Sequence, residues 1–100
     1  MIDLSGIVGF DWDDGNIRKS ADKHGVSPRE AEQVFLDPRL LILTDDEHGG
    51  AEKRFHAYGQ SAIGRSLLVS FTLRRDEMMI RVISARNMSR RERQRYAEET

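Results

Sequence analysis

Leu67-Leu68-Val69-Ser70-Phe71-Thr72-Leu73, and then Met78-Met79-Ile80-Arg81-Val82-Ile83-Ser84-Ala85-Arg86, decide how this chain folds. In the first run Leu67, Val69, Phe71 and Leu73 alternate with Leu68, Ser70 and Thr72. That is the period of a strand with one buried face. Arg74 to Glu77 turn the chain back. In the second run Met78, Ile80 and Val82 are expected to face one way, and Arg81, Ile83 and Ala85 the other. A charge in mid-strand at Arg81 either reaches a solvated sheet face or pairs with an acid.

The neighbouring segments extend this hairpin. Leu40 to Thr44 reads as a short apolar strand, Asp45 to Ala51 as a polar turn, and Arg54 to Tyr58 as a strand ended by Gly59. Ser61 to Gly64 forms a hairpin loop. At the start, Ile7 to Trp12 reads as a short strand. Asp13, Asp14 and Gly15 turn into a helix of about two turns, with Ile17, Ala21 and His24 on one face. Gly25 is suited to end it in the left-handed conformation. Ser27-Pro28-Arg29-Glu30 opens a second helix with a capping box, and Asp37-Pro38 stops it. Ser89-Arg90-Arg91-Glu92 is a second capping box, opening a terminal helix that carries Tyr96. The order βααββββα predicts an α+β domain: an antiparallel sheet of four to five strands with helices packed on one face.

One hundred residues make a single domain, 1–100, with a modest core. No apolar stretch is long enough to span a bilayer, and the N-terminus lacks a secretory pattern, so cytoplasmic residence is the expectation. The absence of cysteine excludes disulfides and thiolate metal sites. The net charge of −1 hides an asymmetry. Residues 1–50 hold five cations against eleven acids, and residues 51–100 hold eleven cations against six acids. Nine of those eleven are Arg from residue 65 onward. Arginine forks match phosphate geometry, so the second half suits a polyanionic partner, unless the acidic half cancels it within the fold.

Trp12-Asp13, Lys23-His24-Gly25-Val26, the acidic loop ending at His48, Glu52 and Arg54, Gly59, Gly64-Arg65, Ile83-Ser84-Ala85-Arg86, and Glu92-Arg93 with Tyr96 together resemble the BrnT family. Those are toxins of type II toxin–antitoxin systems with a RelE-like fold. The resemblance runs from about residue 8 to residue 97, and it rests on order and spacing rather than on any one piece. It implies a small ribonuclease that inhibits translation by cutting RNA. It also implies neutralisation by a BrnA-like antitoxin in a toxin–antitoxin heterotetramer, with DNA bound only through the antitoxin. The chain departs from the family pattern at Asn16 and Ser20, where Lys and Asn are common. It departs again at His56 and Tyr58, where aliphatic residues are common.

RNA cleavage without metal or cofactor needs three things. A base must assist attack by the 2′-hydroxyl, cations must stabilise charge on the phosphoryl oxygens, and an acid must protonate the leaving 5′-oxygen. Candidates for these roles are Arg54, Arg81, Arg86, His24 and Glu52, with Lys23, Arg65 and Arg93 as RNA-binding cations. Each has a plainer reading. Arg81 and Arg86 suit structural ion pairs, and Glu52 can bridge to Arg54 across the sheet. His24 suits a helix C-terminus through the macrodipole, and Arg65 reads as a surface charge. His56 shares strand parity with Arg54 and Tyr58 and so is a further candidate. His48 reads as exposed or structural. Trp12 suits core packing or base stacking. No His/Asp/Glu spacing suggests a metal site. An inactive antitoxin-binding module serving only operon autoregulation is the alternative, motivated by Asn16 and Ser20. Direct DNA binding through the basic terminal helix is a third reading.

Overall fold

A computed structural model describes residues 4–45 and 52–100. Strand β1 (Gly9–Trp12) leads into helix α1 (Asp14–His24) and helix α2 (Pro28–Gln33), which continues as a 3-10 turn, Val34–Leu36. Strands β2 (Leu41–Asp45), β3 (Arg54–Gln60), β4 (Ser66–Arg74) and β5 (Met79–Asn87) follow, and helix α3 (Arg90–Glu99) closes the chain. The five strands form one sheet in the order β1-β5-β4-β3-β2. Strands β2 to β5 pair antiparallel as a meander. The sheet is nevertheless mixed, because β1 pairs parallel to β5, Phe10 beside Ile80 and Trp12 beside Val82. The expectation of a purely antiparallel sheet is corrected here. Parallel neighbours need a long connection, and α1, α2 and the meander supply it.

The helices are also not confined to one face. Val26, Ala31 and Val34, from α2 and its flanks, pack on Ala57, Leu67, Val69, Phe71, Ile80, Val82 and Ala85. On the other face, Tyr96 of α3 and the preceding Met88 pack on Tyr58 and Leu68, with Leu41 and Leu43 beside them. The 3-10 turn approaches β3 so closely that a Cβ at Gly59 would lie 3.0 Å from the Val34 carbonyl oxygen.

Local capping explains the helix ends. Asp13 accepts from the Gly15 and Asn16 backbone, and Gly25 ends α1 at φ 65°. Ser89 and Glu92 form a complete capping box on α3. At α2 only half of the expected box forms. Ser27 accepts from the Glu30 N–H, but the Glu30 carboxylate turns to Ser61 and Arg65 instead.

A bulge in β5 reassigns its faces. Ser70 lies opposite Ser84, but Phe71 lies opposite Val82, so Ile83 is an extra residue. Ala85 therefore joins the core with Ile80 and Val82, fully buried, contrary to simple alternation. Arg86 moves to the same face as Arg81. The bulge lies beyond the last residue of β1 to pair with β5, so β5 backbone groups there need other partners. α1 provides them. Asn16 donates to the Val82 carbonyl at 3.4 Å, and the Ala85 N–H donates to Ser20 Oγ at 3.2 Å. Ser20 is consequently buried and Ala21 exposed, which corrects the apolar face expected for α1.

Candidate RNA-binding face of the sheet

Opposite the α2 side, the sheet is polar wherever α3 does not cover it. Strand parity puts Arg54 and His56 of β3, Ser70 and Thr72 of β4, and Arg81 and Ser84 of β5 on this face. Asp45, at the end of β2, pairs with Arg54. Arg54 is half-buried, and its side chain makes no hydrogen bond or ion pair with another described residue. Arg81 lies 3.4 Å from Asp13, and both side chains are substantially exposed. So loose a pair contributes little to stability. Both guanidinium groups are therefore available to an anion. Thr72, the cross-strand neighbour of Arg81, keeps a buried hydroxyl without a partner among the described residues.

His56 is tied at both ring nitrogens. Nε2 lies 3.0 Å from Asp45 Oδ2, and Nδ1 lies 2.8 Å from Ser70 Oγ. Reading the sequence did not bring Asp45, Ser70 or Thr72 forward. The available signal was the polar break in the strand alternation at Ser70 and Thr72; both residues are nevertheless buried, which corrects the expectation that β4 has only one buried face.

The other expected site residues lie in different settings. Arg86 shares the open face but forms a two-pronged pair with Glu92, at 2.7 and 2.8 Å, and so holds α3. The Arg86 hydrogen bonds outweigh burial and, with the Ser89 N–H, keep the Glu92 carboxyl at about 2 against its usual 4.5. A depressed carboxylate stabilises the fold above its unfolded value, and that stability is lost as the pH falls from about 4.5 to about 2. Arg86 is 38% exposed, so solvent screens the pair, leaving about 2 kcal/mol. Glu92→Gln is expected to lower the melting temperature at pH 7 by roughly 10 °C and to flatten its fall across that acid window. Equal melting temperatures at pH 7 would show that the fork contributes nothing.

Glu52 contacts Arg74 rather than Arg54, at 3.1 Å, without the alignment of a hydrogen bond. Lys23 and His24 close α1 in its last turn, where cations suit the helix dipole. Arg65 is saturated by Glu30 at 2.6 Å, the Gly25 carbonyl at 3.1 Å and Asn87 at 3.2 Å. Arg93 is exposed on α3 and donates to the Met88 carbonyl. Trp12 packs against the core, and its indole N–H donates to Glu32 at 2.9 Å. His48 and most of the expected polar turn lie outside the described residues. Among the described residues no three His, Asp or Glu side chains converge as metal ligands, and no helix is long and apolar enough to cross a membrane.

The fold has a solved counterpart. The crystal structure of the Brucella abortus ribonuclease toxin BrnT superposes with a TM-score of 0.63, covering 83% of this chain and 99% of that chain at 19% sequence identity. No curated protein matches the sequence. A family model described as the ribonuclease toxin BrnT of type II toxin–antitoxin systems matches residues 12–92. With that match over most of its length, the chain belongs to the BrnT family of ribonuclease toxins.

Proposed function

We propose that this protein arrests growth by cutting RNA without a metal ion, inhibiting translation in the cytoplasm, and that a BrnA-like antitoxin neutralises it in a heterotetramer. DNA is contacted through the antitoxin alone. The observation that carries this reading is the open sheet face on which Arg54 and Arg81 stand without strong partners. Two such cations can hold a phosphate and stabilise the charge that grows on its oxygens during attack by the 2′-hydroxyl. His24, Glu52 and Arg86 are the further catalytic candidates in this reading, outside the arginine pair, with Lys23, Arg65 and Arg93 as outlying cations for the RNA backbone.

The inactive-module alternative draws on Asn16 and Ser20. Both side chains bond to the β5 backbone, so each has a structural role in this chain, with Asn16 one helical turn from Asp13, the partner of Arg81. Induced expression is expected to stop growth, and co-expression of the neighbouring gene to restore it. Unimpeded growth with soluble, folded protein would favour the inactive module.

A further inference from the structure

We propose that Asp45, His56 and Ser70 form a proton relay serving RNA cleavage on this face, an inference that rests on the ribonuclease reading above. Three adjacent strands converge to build it: Asp45 ends β2, His56 lies within β3, and Ser70 lies opposite His56 on β4. The carboxylate of Asp45 can only accept, so the hydrogen of the neutral imidazole lies on Nε2. Nδ1 then presents its lone pair to the Ser70 hydroxyl at 2.8 Å. A nucleophile or its relay, a base and an orienting carboxylate in one hydrogen-bonded row is the arrangement that moves protons during attack. The His56 side chain is 26% exposed and Ser70 keeps 9% of its surface, so a ribose hydroxyl meets Ser70 at the small part that solvent reaches.

Neighbouring groups fit a phosphate beside this row. Arg54 precedes His56 by two residues on the same face, and Arg81 lies across from Thr72, two residues along β4 from Ser70. The buried Thr72 hydroxyl is without a partner among the described residues. That oxygen is closed to solvent, so the phosphate contacts offered here are those of the two guanidinium groups.

The proton transfers balance as follows. The ribose 2′-hydroxyl passes its proton to Ser70 Oγ as Ser70 passes its own to His56 Nδ1, and Asp45 stabilises the imidazolium. The 2′-oxygen bonds to phosphorus, and the bond from phosphorus to the 5′-oxygen breaks with its electron pair. The 5′-oxygen takes a proton from water, and the hydroxide left behind removes the extra proton from His56. The products are a 2′,3′-cyclic phosphate and a 5′-hydroxyl.

The test is cleavage of a short RNA by the purified full chain in the presence of a metal chelator. The same RNA with 2′-O-methyl groups reports binding without chemistry. Ser70→Ala and His56→Ala are each expected to slow cleavage about 100-fold while binding the methylated RNA within about twofold of the parent protein. Free imidazole is expected to restore part of the His56→Ala rate, which a merely structural role for the ring would not allow. Should His56→Ala fail to fold, Ser70→Ala decides alone, because it removes a single oxygen. A Ser70→Ala rate within about threefold of the parent overturns the relay and leaves the ribonuclease reading standing. A parent protein that cuts no RNA overturns that reading, and the relay with it.

Discussion

Arg54→Ala combined with Arg81→Ala is expected to abolish growth arrest and to slow RNA cleavage by about 10⁴-fold. In the proposed reaction each guanidinium stabilises phosphoryl charge, and removing one such donor costs about 10²–10³-fold in comparable sites. Under that proposal the two side chains share one anion, so their effects are not expected to multiply fully. The folding cost is small, because Arg54 has no partner among the described residues and Arg81 has only the loose Asp13 contact. Melting temperatures near that of the parent protein are therefore expected alongside the lost activity, and this separates a site effect from an unfolding effect. Arg→Lys at either position keeps the charge but removes the planar fork, and should recover only part of the rate. Full toxicity in the folded double variant would remove the arginine face from the mechanism. The site would then lie with His24 and Lys23 at the end of α1, or with Arg65 and its partners Glu30 and Asn87.

What could be read in advance follows the range of the interactions. Gly25, Ser27 and Ser89 mark helix ends through contacts within a few residues, and each does so in the structure. The alternation of Leu67, Val69 and Phe71 marks the side of β4 that packs under α2 for the same reason, although Leu68, Ser70 and Thr72 on its other side are buried as well. The parallel pairing of β1 with β5 joins segments far apart in the chain, and no local pattern encodes strand direction. The bulge was hidden because Ile83 is a β-branched residue that suits an ordinary strand. Yet the bulge is what puts Arg86 on the face of Arg81 and sends Ala85 inward. Ser20 shows the converse. A polar residue is buried, because its hydroxyl serves a β5 backbone group that β1 does not reach. Parity alone placed Arg54 and His56 together. The contact of His56 with Asp45 and Ser70 requires the register of three strands, which only the folded chain supplies.

Phe71→Ala is expected to have the largest effect on stability of any single core truncation. The ring is fully buried, 5.2 Å from Phe35 in an edge-on contact and 5.3 Å from Phe55 in a stacked one. Phe35 in turn meets Phe10 at 5.5 Å, so an aromatic row ties β1, the 3-10 turn, β4 and β3 together. Removing the central ring leaves a cavity and breaks two aromatic pairs, at a cost of about 3–5 kcal/mol. A domain of this size has only about 5–15 kcal/mol in total. The melting temperature should fall by roughly 15–30 °C, at about 4–8 °C per kcal/mol. The position also links stability to the site. Phe71 lies where the pairing of β4 with β5 shifts, between Ser70 and Thr72, whose side chains look onto the open face. Loosening the ring should loosen the register that aligns Ser70 with His56 and Thr72 with Arg81. Activity is then expected to decline at temperatures below the onset of global unfolding, with faster amide exchange in β4 and β5 than in α3. A Phe71→Ala protein that melts within about 5 °C of the parent would show that the core closes over the gap, and that the aromatic row is not what holds the sheet to its helix.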